Sequence, residues 1–175
     1  NVSDLDTIIF NQGKILTTKA PDKRITKMQV KGLGDRSVIT VSKSNGNFAD
    51  IDSALQEAYK YSLVTNPMTI LIFPGDYYES LAIQSKYITL KGISREFTRI
   101  IDESGDYNNA PISMAGATII ENLTVWANHN QQVGTPTNPS YAVHHDAYGE
   151  GESIIRNCNL ISDNSNAIGI GLQNN

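Results

Sequence analysis

Cysteine is nearly absent from this sequence: Cys158 is the only one in 175 residues. No internal disulfide can form, so a folded chain must be held by its core. Charge is sparse too. Asp, Glu, Lys and Arg supply 18% of the residues, with a net charge of −4. No dense run of Lys or Arg occurs, and beyond Arg99 the one remaining cation is Arg156. A nucleic-acid surface needs a basic stripe, so that class of partner is excluded. No apolar run approaches the roughly eighteen residues of a membrane span. No secretory leader is visible, and the sequence opens at Asn1 without Met. It therefore reads as a mature product or as part of a longer chain.

What remains is β-branched apolar residues with Asn, Ser, Thr and Gly, a mixture suited to short strands and tight turns. Residues 1–36 read as an N-terminal arm or linker. Within it Thr7-Ile8-Ile9-Phe10 and Ile15-Leu16-Thr17-Thr18 suggest two short strands around Asn11-Gln12-Gly13. Residues 37–175 read as one domain. Residues 37–41 are a strand, and an amphipathic helix follows over about 48–62. Phe48, Ile51, Leu55, Ala58 and Ser62 share its apolar face, and Asn47 is the expected N-cap. The run 68–73 is a strand expected to be buried on both sides. Pro74-Gly75-Asp76 is read as a turn, and 81–83, 87–90 and 99–101 as further strands. Residues 167–173 are another.

One internal repeat organises the second half. Ile119-Ile120-Glu121-Asn122-Leu123-Thr124-Val125 is echoed by Ile154-Ile155-Arg156-Asn157-Cys158-Asn159-Leu160, 35 positions later. Repeats on this scale indicate a solenoid. Residues 128–140 are the obvious insertion. Stacking the two copies sets Asn122 over Asn157, where amides at a coil corner satisfy each other and the backbone. Cys158 is expected to be a small buried apolar residue.

The order of these segments resembles the pectin-lyase-like superfamily, above all the N-terminal coils of pectin methylesterases and the β-helices of phage tail spikes and appendages. The resemblance rests on Gly46-Asn47-Phe48, Ile51, Ala54-Leu55, Ile72-Phe73-Pro74-Gly75-Asp76-Tyr77-Tyr78-Glu79, Ile88-Thr89-Leu90-Lys91-Gly92 and the segment 120–125. It implies an all-β fold: the N-terminal coils of a right-handed parallel β-helix, capped by one amphipathic helix. Such a cap covers the apolar end and open strand edge of a solenoid. The resemblance also implies that the Pro-Gly-x-Tyr-x-Glu segment is not catalytic. Tyr141 stands where the esterases carry the Gln of a Gln-Ala-Val motif. Neither Gln-Asp-Thr-Leu nor Asp-Phe-Ile-Phe-Gly follows. No esterase catalytic residue is therefore carried over.

Two groups of residues are candidates for chemistry. His144, Asp146 and Glu121 form the candidate catalytic set: a histidine beside a carboxylate acts as a general base, and paired carboxylates cleave glycosidic bonds. The alternative is a solvated turn with one histidine bonded locally. Adjacent His144 and His145 point to opposite faces of a strand. Trp126, Asn128, Tyr141 and Tyr148 form the candidate sugar-binding set, since aromatic faces stack on pyranose rings and amides bond hydroxyls. Trp126 reads equally as core. No cofactor is expected. Calcium or a transition ion is what Asp146, Glu150 and Glu152 with a histidine would suit, although their spacing matches no EF-hand or zinc pattern.

The function expected from this is recognition of a cell-surface or cell-wall polysaccharide by a phage tail or cell-surface component. It places the chain in the extracellular space or on a virion, with the N-terminal arm serving oligomerisation or virion attachment. Two alternatives stand beside it: a polysaccharide-processing hydrolase, lyase or esterase, and a structural fragment whose active coils lie beyond Asn175.

Overall fold

The computed structural model describes residues 7–11, 14–19, 24–28, 37–84, 86–103, 110–114, 116–128, 141–146, 152–162 and 168–171. The chain falls into two compact units, 1–36 and 37–175. The first is an antiparallel meander of β1 (Thr7–Asn11), β2 (Lys14–Lys19) and β3 (Arg24–Met28), with Thr7 opposite Thr18 and Ile15 opposite Met28. The hairpin was legible in the sequence. The third strand was not, because Arg24 and Lys27 interrupt its apolar pattern.

The second unit is a parallel β-helix. Its strands are β4 (Val38–Val41), β5 (Met68–Ile72), β6 (Gly75–Tyr78), β7 (Leu81–Ile83), β8 (Ile88–Gly92), β9 (Thr98–Asp102), β10 (Ile112–Met114), β11 (Thr118–Glu121), β12 (Thr124–Ala127), β13 (Val143–Asp146), β14 (Ile154–Arg156), β15 (Asn159–Ser162) and β16 (Ile168–Gly171). They sort into three parallel sheets. The first is β4-β5-β8-β11-β14, the second β6-β9-β12-β15, and the third β7-β10-β13-β16. The chain visits the three in rotation, so each coil lies on the one before. Met68 pairs with Ile88, Ile88 with Thr118, and Ile119 with Ile154. Successive turns thus take 20, 30 and 35 residues. Most of the extra length enters between the second and third sheets, where β9 ends at Asp102 and β10 starts at Ile112, and where β12 ends at Ala127 and β13 starts at Val143.

Side-chain alternation turns one row of each strand inward, and stacking sets like over like. Ile70, Leu90 and Ile120 line up on the first sheet, and Tyr77, Ile100 and Val125 on the second; all are fully buried. Each such aliphatic contributes about 1.5–3 kcal/mol of burial. Two expectations are corrected here. The run 68–73 is buried on one side only: Met68, Ile70 and Ile72 are buried, whereas Thr69 and Leu71 are half-exposed on the outer face. Gly75 and Asp76 do not form a turn but open β6. Tyr77 is core, with its hydroxyl donating to the Phe73 carbonyl at 2.9 Å.

The corner between the first and second sheets is built by asparagine. Asn122 and Asn157 hold φ of 58° and 51°, a left-handed conformation that asparagine tolerates better than other non-glycine residues. The Asn157 amide donates to Asn122 Oδ1 at 2.7 Å, and the Asn122 amide donates to the Gly92 carbonyl at 2.7 Å. The expected stacking of the two asparagines is therefore present, although Asn157 is exposed. Gly92 begins this ladder for a steric reason. A Cβ there would lie 2.2 Å from the Asn122 carbonyl oxygen.

The helix α1 (Ile51–Tyr59) is shorter than expected, and its N-cap is Asp50, not Asn47. Asp50 accepts from the Ser53 amide at 2.8 Å. Asn47 instead clips onto β4, with Oδ1 accepting from both the amide and the hydroxyl of Thr40 at 2.9 Å. Ile51, Ala54, Leu55 and Ala58 turn into the core. The helix is also fastened from outside. The Glu79 carboxylate, from the first coil, accepts from the amides of Ile51 at 3.0 Å and Asp52 at 2.9 Å. At the other end the Tyr59 hydroxyl donates to the Ala82 carbonyl at 2.7 Å and accepts from the Gln84 amide at 3.2 Å.

Two stability predictions result. Asn122→Gly keeps the left-handed corner and loses only the side-chain bonds, so it should cost about 1 kcal/mol, whereas Asn122→Ala should cost about 2 kcal/mol in urea denaturation. Glu79→Ala removes the acceptor for two helix amides and should lower stability by about 1–2 kcal/mol, with most of the helical circular dichroism retained in the folded state.

Candidate functional site

The expected catalytic set does not assemble. Glu121 lies on the first sheet, in β11. His144 lies on the third, in β13. On β13, Val143 continues the inward row of Leu81 and Ile112, so His144 faces outward and His145 inward. His145 falls in register with buried Ile83 and Met114, and its Nε2 lies 3.0 Å from Ser153 Oγ. His144 stacks on Tyr141, with ring centroids 5.6 Å apart. Asp146 belongs to β13, but its side chain lies outside the described residues, as do Tyr148, Glu150 and the loop 129–140.

Glu121 has a different occupation. Lys91, Glu121 and Arg156 are register partners on three successive coils. Lys91 Nζ lies 2.9 Å from Glu121 Oε1, and the Arg156 guanidinium grips Oε2. Hydrogen bonding by Lys91 is the main reason its carboxyl titrates below the ordinary range, with Arg156 adding to it and burial opposing it. A carboxylate held ionised between two cations is a poor proton donor, and both its oxygens are engaged. In the folded chain Glu121 is an ionic clamp between coils. Among the described residues no three His, Cys, Asp or Glu side chains converge to hold a metal; of the set named for calcium, the Asp146 side chain and Glu150 lie outside those residues. Cys158 is half-buried, with its thiol 3.2 Å from the Arg156 carbonyl, and burial pushes it up. It behaves as the packing residue expected.

The second sheet presents a more coherent surface. With Tyr77, Ile100 and Val125 inward, the next position of each strand faces out. There Tyr78, Ile101, Trp126 and Ile161 stand in register on four successive coils. Tyr78 is 60% exposed and Ile161 41%, and Trp126 is half-exposed. Ile101 is covered at 3%. Trp126 is thus an outward, half-exposed residue of a stacked row. Beside this row runs a polar one, Asp76, Arg99, Thr124 and Asn159. Arg99 Nε and Nη2 each meet an Asp76 carboxylate oxygen at 2.6 Å.

At the end of these strands lies a cleft of about 390 Å³ lined by Tyr78, Glu79, Ser80, Ile101, Asp102 and Glu103. Asn128 follows β12 directly. Its amide nitrogen bonds the Asp102 carbonyl at 2.9 Å, and its side chain donates to Glu103 Oε1 at 3.1 Å. Of the expected sugar-binding residues, Trp126 and Asn128 are therefore neighbours of one surface, while Tyr141 leads into the third sheet with His144. A smaller hollow of about 210 Å³ near Pro67, Tyr87, Thr89 and Ile119 belongs to the first sheet and touches none of these residues. Sequence reasoning missed Tyr78, Ile101, Ile161 and Glu103. Only the unequal coil lengths reveal that Tyr78 and Trp126 share a row.

No protein-family model matches the sequence, and no curated protein matches it. Among solved structures, pectin methylesterase PemA from Erwinia chrysanthemi is similar over 75% of this chain, at a TM-score of 0.62 and 22% identity. Pectin methylesterase from carrot is similar over 81%, at 0.57 and 18% identity. The chain spans less than half of those proteins, 45% and 46%. Likeness at this identity shows the fold alone, a right-handed parallel β-helix.

The clamp at Glu121 makes a pH prediction. Its carboxyl is depressed in the folded state, so it contributes stability above the unfolded carboxylate pKa and loses it as pH falls through the folded value. Glu121→Gln should lower the urea midpoint at pH 7. At a pH below the folded value the midpoints of wild type and variant should converge. Parallel midpoints across that range would remove the clamp.

Proposed function

We propose that this chain is a polysaccharide-recognising β-helix whose binding surface is the outer face of the second sheet. The observation that carries it is the row in which Tyr78, Trp126 and Ile161 are at least part-exposed and stand in register, with Ile101 covered between Tyr78 and Trp126. Aromatic and aliphatic side chains on a rigid flat sheet offer pyranose rings an apolar platform, at little entropic cost. Asn159 and Asn128, both half-exposed, lie alongside to bond hydroxyls. The two fold neighbours are named as pectin methylesterases, which makes a polysaccharide partner a natural one for this architecture. The reading is binding without cleavage, because Glu121 is committed to Lys91 and Arg156 and lies on a different sheet from His144.

The finer part of the proposal is a phage tail or cell-surface component acting outside the cell. Its support is the likeness of the sequence to tail-spike β-helices and the separate N-terminal meander, a unit suited to attachment or to pairing with a second copy.

Trp126 is the single tryptophan, so its fluorescence reports directly on this face. The whole chain should be retained on members of a polysaccharide array, with a change in Trp126 emission and no change in polymer mass. Trp126→Ala and Tyr78→Ala should each weaken retention by about tenfold, equivalent to about 1.4 kcal/mol. A shortened or de-esterified polymer would replace binding by catalysis.

A further inference from the structure

We infer that the polysaccharide bound on the second sheet is uncharged where it lies against the protein, and runs along the solenoid axis, across the strands. This rests on the binding reading above and names its ligand class. The direction comes from the row itself. Tyr78 and Trp126 lie two strands apart in register, with Ile101 between them and Ile161 beyond. Neighbouring strands stand about 4.8 Å apart, so the two rings recur at about 9.6 Å. Ile101 is covered, so an extended sugar chain reaches Tyr78, Trp126 and Ile161 together only if it crosses the strands. Laid along one strand, it meets a single member of the row.

The charge class comes from what borders the row. The four strands of this sheet carry one cation, Arg99, and its guanidinium is held in a two-point pair by Asp76. The cleft at the Tyr78–Ile101 end carries Glu79, Asp102 and Glu103. Glu79 is turned toward the helix amides, whereas Glu103 is exposed. A polyuronate brings a carboxylate on every ring. Here it would meet like charge at one end and no uncommitted guanidinium along the described strands, so each bound ring would be repelled or desolvated without compensation. A neutral or N-acetylated ring brings hydroxyls and amides, which Glu103, Asn128 and Asn159 are built to bond. The solenoid therefore shares its fold with proteins named for pectin while its second sheet presents few cations to an acidic chain.

The test uses an array on which each uronate polymer is printed beside its carboxyl-reduced form, the same backbone without the charge. At low salt (about 20 mM, where screening is weak) the whole chain should be retained at least about tenfold better on the reduced member. Equal or better retention on the uronate would overturn the charge assignment while leaving the binding reading intact. Retention on no polymer, charged or neutral, would overturn both. A gain-of-function variant locates the effect. Glu103→Lys, at an exposed position, should raise uronate retention several-fold at low salt and lose that gain at about 0.5 M salt. An unchanged ratio in Glu103→Lys would overturn the placement of the polymer at this cleft.

Discussion

Every feature of the β-helical unit depends on one constraint: each coil must return in register over the last, so that its backbone amides and carbonyls find partners above and below. Parallel pairing of three short strands per turn satisfies the backbone but fixes what lies over what. Inward positions become columns of isoleucine, leucine and valine. Outward positions become rows in which one residue's character is copied, answered or neutralised by the next. The Lys91–Glu121–Arg156 clamp, the Asp76–Arg99 pair and the Asn122–Asn157 ladder are three answers to the same question of what to place above a given side chain.

Register alone leaves the first coil with an open face, and α1 closes it. The cover is held less by its own propensity than by the coil it covers. A helix of nine residues is marginal in isolation. Glu79 supplies acceptors for its first amides, and Tyr59 ties its last turn to β7 and the residue after it. Cap and first coil therefore stabilise each other, and residues of the Pro-Gly-Asp-Tyr-Tyr-Glu segment serve architecture at Tyr77 and Glu79 and the surface at Tyr78.

The fold was largely legible because solenoid signals are local. The β-branched runs, the amphipathic helix and the repeated Ile-Ile-x-Asn each speak for themselves. The site was legible only in part. Trp126 and Asn128 drew notice as residue types, but their relation to Tyr78 and Glu103 depends on coils of 20, 30 and 35 residues, which local pattern does not reveal. Glu121 misled for the same reason. Its nearness to His144 in sequence hides a corner of the solenoid, and its neighbours in space, Lys91 and Arg156, lie one full coil away on either side. The expected helix cap failed more simply: Asn47 and Asp50 are both good caps, and Asn47 was already taken by Thr40.

The row on the second sheet also works as a gauge. Its spacing is set by backbone hydrogen bonds, and substitution of side chains cannot stretch it. A polymer whose chemical repeat is commensurate with that spacing gains a contact at every second coil, while one slightly longer or shorter drifts out of phase within a few rings. Under the proposed binding role, such a surface discriminates by linkage geometry before it reads any functional group. Mutation can alter its selectivity in whole-coil steps alone, by moving an aromatic from one rung to the next.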